Sequence, residues 1–192
     1  MVLLAIETSS RQLGVAAIDG DRLLASYDVL GDYPHAVELP AAVTRVLREA
    51  QTSLDRLEAL VVDIGPGSFT GLRIGLAFVK ALAYLRKTPV VGIASLDVLA
   101  AQLPGARGII CPVLDAKQKN VYTARYHLDG GGLTRVTEYL LGPAAEVVPQ
   151  LKEPVLLLGD GCATYRDQLL ARCPKGQIIP PEGWLPRAST LA

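Results

Sequence analysis

The sequence predicts an α/β protein of two lobes, on three observations. Short apolar runs of strand length alternate with stretches of helical periodicity, and Asp19-Gly20 places a hairpin signal between two apolar runs. The second half, from Ile109, then restarts the order strand, acid, polar link, strand with which the first half opens.

Residues 3–6 form a short apolar strand ending on Glu7-Thr8-Ser9-Ser10, residues 13–18 follow, and Asp19-Gly20 leads into 22–30. The start is therefore a three-stranded antiparallel unit. Across 36–50, Leu39, Val43, Val46, Leu47 and Ala50 recur at helical spacing, with Glu38, Arg45 and Glu49 on the other side, which predicts a helix lying on that sheet. A strand over 59–64 runs into Gly65-Pro66-Gly67-Ser68-Phe69-Thr70-Gly71-Leu72-Arg73-Ile74-Gly75, read as a tight loop opening a helix over 71–87. Pro66 presets φ, Gly67 tolerates positive φ, and Ser68 or Thr70 can cap the helix. Next come a strand over 90–93 and a helix opened by Ser95 that stops before Pro104, closing a first lobe of residues 1–103.

The second lobe, residues 104–185, opens with a strand over 109–114 that ends on Asp115 and returns antiparallel over 121–128. Asp129-Gly130-Gly131-Gly132 turns the chain into 133–141. A helix over 143–151, a strand over 155–158 running into Gly159-Asp160-Gly161, a helix through Cys173 and a strand over 177–179 complete it. Residues 186–192 read as a helix just begun and are expected to pack back on the first lobe. The repeated order is a weak internal duplication, since one acid at a strand end is common.

Composition narrows the function classes. Half of the 192 residues are apolar, enough for a sizeable core, and 19 Lys plus Arg balance 19 Asp plus Glu, so no bulk basic field draws in nucleic acid. Any RNA contact is expected to be local or through a partner. Cys111, Cys162 and Cys173 are odd in number and lack a C-x-x-C, which argues against a disulfide framework and a zinc site and favours a reducing cytoplasm. No apolar run approaches the ~20 residues of a membrane span, and the N-terminus has no basic leader. His35 and His127 stand far apart without neighbouring ligands, so no metal is expected and their role reads as structural.

A loop that aims backbone N–H groups at a helix start suits a phosphate. Walker A, however, needs Gly-Lys-Ser/Thr at its end, and the dinucleotide fingerprint needs Gly where Thr70 stands. Gly65, Pro66, Gly67, Ser68, Thr70 and Gly71 are therefore assigned a structural role. Glu7 and Asp115, ending the first strands of the two lobes, would face each other across a cleft where a nucleotide's phosphates and magnesium would sit. Glu7, Ser9, Asp115, Gly159 and Gly161 are the nucleotide-binding candidates; on spacing alone, acids that merely cap turns fit better. A nuclease centre would need Glu7, Asp63 and Asp115 together, and Asp63 has no partner evident in sequence.

Helical spacing places Gly71, Gly75, Phe78 and Leu82 inward, leaving Arg73, Leu76, Ala77, Lys80, Ala83 and Tyr84 facing out. The helix over 36–50 turns out Glu38, Ala41, Ala42, Arg45 and Glu49. Two such faces can pair with their copies in a homodimer, or with a paralogue of the same fold.

Leu4-Ala5-Ile6-Glu7-Thr8-Ser9, the run from Gly65 to Gly75, Pro89-Val90-Val91-Gly92-Ile93-Ala94-Ser95-Leu96 and Leu114-Asp115-Ala116 with Val121-Tyr122 closely resemble the TsaB (YeaZ) family. The resemblance implies a duplicated ribonuclease-H-like fold of two lobes, similar to the actin, Hsp70 and sugar-kinase ATPases. It implies a non-catalytic scaffold that activates a TsaD-like catalytic paralogue, with a TsaE-like ATPase, in placing threonylcarbamoyl on tRNA adenosine (t6A). The catalytic paralogues carry an H-x-x-x-H metal pair where this chain has Ser95 and Leu99. Glu7 stands where active ATPases of this fold have Asp, and the family's basic run appears as Lys117-Gln118-Lys119-Asn120. No cofactor is expected to be required, although weak ATP or ADP binding fits the fold. An active ATPase or ATP-dependent phosphotransferase of the same fold is the alternative.

Overall fold

The computed structural model describes residues 1–31, 35–103 and 105–192. The chain divides into two compact units, Met1–Val98 with Pro186–Ala192, and Leu99–Leu185.

In the first unit β1 (Val2–Glu7), β2 (Gln12–Asp19) and β3 (Arg22–Leu30) form an antiparallel meander, with Gly20 supplying the positive φ of the β2–β3 turn. Helix α1 (His35–Glu49) follows, then β4 (Ala59–Asp63), α2 (Phe69–Arg86), β5 (Val90–Ile93) and the start of α3 (Ser95–Ala101), which runs on into the second unit from Leu99. β4 and β5 join in parallel, giving the order β3-β2-β1-β4-β5. Alternation along the strands sends Leu4, Ile6, Val15 and Val62 to one face, where Leu39, Val43, Val46 and Leu47 of α1 and Val79 of α2 cover them. Ala5, Ala16 and Val61 meet Val98, Ala188 and Leu191 on the other.

The second unit holds β6 (Gly108–Lys117), β7 (Asn120–Thr123), β8 (Tyr126–Asp129), β9 (Gly132–Arg135), β10 (Leu140–Pro143), α4 (Ala144–Val147), β11 (Val155–Leu158), α5 (Gly161–Thr164), α6 (Arg166–Arg172) and β12 (Gly176–Ile178). Its sheet runs β10-β7-β6-β11-β12, with β8 also paired to β6 and β9 to β8. The final helix, α7 (Ala188–Leu191), belongs to the first unit, where Ala188 and Leu191 are buried.

The single return strand expected over 121–128 is two strands. Its first part pairs with Val113–Lys117 and its second with Gly108–Ile110, the break falling at Ala124-Arg125. The strand expected over 133–141 breaks at the same level, because Arg125 is held across the gap: its N–H donates to Thr137 Oγ1 and its carbonyl accepts the Val136 N–H. With each broken strand counted once, the second sheet repeats the first: a central strand, an antiparallel meander on one side and two parallel strands on the other. The helix expected over 143–151 is a single turn, since Val148 is already extended, and the one expected through Cys173 bends at Tyr165 into α5 and α6. All three cysteines are buried and free; burial pushes the Cys111 thiol up to about 11 and that of Cys162 to about 12. No described helix is long and apolar enough to cross a membrane.

Candidate functional site

The glycine loop is shaped by the chain's own β1–β2 connection. Positive φ falls on Gly65 (94°), not on Gly67 as expected; Gly67 is required for close approach instead. A Cβ on Gly67 would stand 2.2 Å from the Ser9 carbonyl oxygen, one on Gly71 2.0 Å from that of Thr8, and one on Gly75 2.3 Å from Thr8 Oγ1. The first turns of α2 thus lie directly on Thr8 and Ser9. The Ser68 N–H donates to the Ser9 carbonyl at 2.6 Å, while Ser68 Oγ accepts from the Gly71 N–H, so Ser68 and not Thr70 is the cap and α2 begins at Phe69. Pro66 follows Gly65 through a cis peptide bond.

Beneath the loop lie two fully buried acids. β1 and β4 run parallel with Ile6 opposite Val62, so Glu7 and Asp63 are the next neighbours on one face. Glu7 Oε1 accepts the Ser9 N–H and the Ser9 hydroxyl, each at 2.6 Å. Asp63 Oδ1 accepts the Gly65 N–H and the Ser95 hydroxyl, also each at 2.6 Å. Burial first, and then the neighbouring Asp63 carboxylate, raise the Glu7 carboxyl well above the usual carboxylate range. Asp63 therefore does have a partner, and it is Glu7.

The second unit repeats the placement with a different outcome. β6 carries Asp115, and Asp160 follows its parallel neighbour β11; Asp160 Oδ1 accepts the Asp115 N–H at 2.9 Å. Gly159, at φ 107°, and Gly161 approach β6 as the loop glycines approach Thr8, since Cβ atoms there would stand 2.3 and 2.9 Å from the Val113 carbonyl oxygen. Burial alone would raise the Asp115 carboxyl, but Lys117 donates to it from its ammonium and its backbone N–H, both at 2.8 Å, and the net effect is a lowered value. Lys117, Gln118 and Lys119 all hold positive φ at the β6–β7 turn. Glu7 and Asp115 lie in different units, each with its own acid neighbour.

On the surface of the first unit, α1 and α2 present an outward face. Ala41, Arg45, Arg73, Ala77, Lys80 and Tyr84 are exposed, and Phe69 and Tyr84 are 67% and 74% accessible. Three residues expected there do not belong to it. Ala42 is 1% accessible within the core, because it follows Leu39 by three positions, and Leu76 is half-buried against the same core, where Val79 takes the innermost place. Ala83 is likewise partly buried. Glu38 accepts from Tyr27 Oη at 3.1 Å, and Arg45 pairs with Glu49 and lies over the Tyr27 ring, so part of the charge on this face is engaged within the chain. His35 Nε2 meets the Ser10 carbonyl, and His127 lies 3.6 Å from Asp129. No group of three or more metal-ligating side chains occurs among the described residues.

Sequence reasoning did not single out Asp160, weighed Asp63 only for a nuclease centre in which it had no evident partner, and named Ser95 only as a helix start and as the place of a missing metal ligand. Their signal was available: in each half a second parallel strand ends next to an acid at the glycines, and parallel neighbours place such acids beside the acid of the first strand.

Comparison with known proteins agrees with this architecture. Residues 32–168 match the family described as TsaD, tRNA N6-adenosine threonylcarbamoyltransferase. The tRNA threonylcarbamoyladenosine biosynthesis protein TsaB of Bacillus subtilis (strain 168) is 33% identical over 172 residues, covering 88% of this chain and 75% of the relative. The structure of YeaZ from Pseudomonas aeruginosa superposes with a TM-score of 0.85 at 27% identity, over 99% of this chain and 88% of that one. Component A of the (R)-2-hydroxyglutaryl-CoA dehydratase of Acidaminococcus fermentans, at 11% identity and TM-score 0.54 over 100% and 96% of the two chains, shares the fold alone. The fold is the duplicated ribonuclease-H-like one of the actin, Hsp70 and sugar-kinase class, and the chain belongs to the TsaB (YeaZ) family.

Proposed function

We propose that this chain is a scaffold and activator subunit of the machinery that makes threonylcarbamoyladenosine in tRNA, with no catalysis of its own. The observation that carries the reading is the filled loop. Where a phosphate would need space and free N–H groups, Thr8 and Ser9 pack so closely on the loop glycines that a Cβ there would clash with their oxygens, and the Ser68 N–H is already hydrogen-bonded to the Ser9 carbonyl. Ser95 and Leu99, at the positions of the catalytic paralogues' histidine pair, support it: both are buried, and the Ser95 hydroxyl donates to Asp63.

The working surface in this reading is the α1–α2 face, which would dock a TsaD-like paralogue or, in its absence, a second copy of this chain. A TsaE-like ATPase joins that assembly, and tRNA is met only through it. Nucleotide is not required, and any binding of ATP or ADP would be weak. Co-purification with the TsaD-like paralogue, with and without tRNA, tests the proposal. A stable complex that makes modified tRNA, while neither protein alone does, is the expected result; modification by this chain alone would overturn it.

A further inference from the structure

The scaffold reading makes no use of the two buried acids of the first unit. We propose that Glu7 and Asp63 hold one proton between them as a latch that fastens β1, β4, the glycine loop and α3 together, and that losing it as pH rises frees the loop and the first turn of α2.

Geometry supplies the argument. Each carboxyl has one oxygen saturated by two donors, Ser9 on the Glu7 side and Gly65 with Ser95 on the Asp63 side. The other oxygens, Glu7 Oε2 and Asp63 Oδ2, are buried and receive no N–H or O–H from the described residues. Glu7 and Asp63 follow the paired Ile6 and Val62 of parallel β1 and β4, so the two carboxyls are neighbours, and two carboxyl oxygens make a hydrogen bond only when one carries a proton.

Among the described residues no surrounding element brings a compensating cation, and Arg11 of the β1–β2 connection is exposed. β2 offers Gly14 opposite Glu7, and β3 offers Asp28, whose Oδ1 lies beside Gly14 and accepts from Gln12. Arg187, before α7, acts on Asp28. α3 adds another acid, Asp97; Arg73 and Lys80 of α2 are exposed; and His35 of α1 is turned to the Ser10 carbonyl. Two ionised carboxylates in contact away from water repel strongly, so such a pair keeps one proton and titrates as a unit.

The pair is a latch because its bonds continue. Glu7 holds Ser9, whose carbonyl holds the Ser68 N–H at the start of α2; Asp63 holds Gly65, whose carbonyl holds the Ser95 N–H at the start of α3. A second negative charge is relieved only by opening these ties. The folded state keeps the Glu7 proton more tightly than the unfolded chain does, so this stabilisation is complete below the unfolded carboxyl range of about 4.3 and declines as pH rises through the folded value.

Native-state hydrogen exchange of the full chain from about pH 5 to about pH 10 tests this, read at the Ser9, Gly65 and Ser68 amides and corrected for intrinsic rates. Between the unfolded carboxyl range and the ionisation of the pair, protection should fall by up to about tenfold per pH unit, the slope for one proton, and level off above it. Glu7→Gln should abolish the decline, because its amide donates permanently toward Asp63 Oδ2; Asp63→Asn offers the same test from the other side should the first variant not fold. In infrared difference spectra recorded as pH rises from about 5, wild type should lose a protonated carboxyl absorption that Glu7→Gln lacks. Wild-type protection that stays flat across the range, or absence of that carboxyl absorption, overturns the latch.

Discussion

Gly71 and Thr8 touch backbone to backbone: a methyl group on Gly71 would stand 2.0 Å from the Thr8 carbonyl oxygen. A helix in the first unit is thereby seated on the end of the first strand by what its glycines lack, and α2 carries that seating to the outer face.

Gly71→Ala should accordingly destabilise the protein, because backbone on both sides of the contact must move. Overpacking of this kind costs about 1–3 kcal/mol, and for a chain of this length each kcal/mol lowers Tm by roughly 2–4 °C. Gly130→Ala is the control: nothing lies within 4 Å of its Cβ position, so its effect should stay within about 0.5 kcal/mol. Thermal unfolding followed by circular dichroism distinguishes the two. Equal melting of Gly71→Ala and wild type would show that the contact relaxes freely.

The difference between these glycines was only partly legible in the sequence. Strand positions, the Asp19-Gly20 hairpin and the duplicated order could be read, because alternation and turn chemistry are local. Gly65 and Gly67 look alike in sequence, yet one is needed for φ and the other for contact with Ser9, some sixty residues away, a distinction that pairing of β1 with β4 creates. Asp63 was opaque for the same reason. Ala42 and Leu76 were misplaced because the stripes were drawn too narrow: α1 buries Ala42 beside Val43, and α2 buries Val79 deepest while Leu76 and Phe78 flank it.

The isolated chain should bind tRNA weakly. Nineteen basic residues are cancelled by nineteen acidic ones, and Lys117, at the basic turn, is already paired with Asp115, so few counterions would be released on contact with phosphates. Filter binding at two salt concentrations measures this directly. Sub-micromolar affinity with a steep salt slope would assign the chain an RNA-binding role of its own.

ATP turnover by the isolated chain should be absent. The loop's space is taken by Thr8 and Ser9, and Glu7 is buried beside Asp63, which together with burial raises its carboxyl well above the usual carboxylate range. Phosphate release in steady state is the assay, with Asp115→Ala as control against a contaminating ATPase. Turnover near the ~10 s⁻¹ typical of enzymes, lost in Asp115→Ala, would establish an active phosphotransferase site instead.

The partner face is best probed at Ala77, and the burial pattern says why. Leu76 packs against the core, so Leu76→Glu would place a charge in the protein's own interior and lower stability whether or not a partner docks; Ala42→Glu fails in the same way. Ala77 is exposed on α2, one turn from Arg73 and beside Lys80, and its replacement leaves the core untouched. If this face is covered in a complex, the new carboxylate is buried, and a buried charge without a partner costs about 3–5 kcal/mol. Association should then weaken roughly a hundredfold or more while the melting temperature of the free chain stays near wild type. Arg45, already engaged with Glu49 and Tyr27, should tolerate Arg45→Ala with a smaller loss, since exposed ion pairs contribute only about 0–1 kcal/mol. Sedimentation measures pairing of copies, and pull-down measures docking of the paralogue. Wild-type affinity of Ala77→Glu in both would place the contact on another surface and leave the α1–α2 face without a role in assembly.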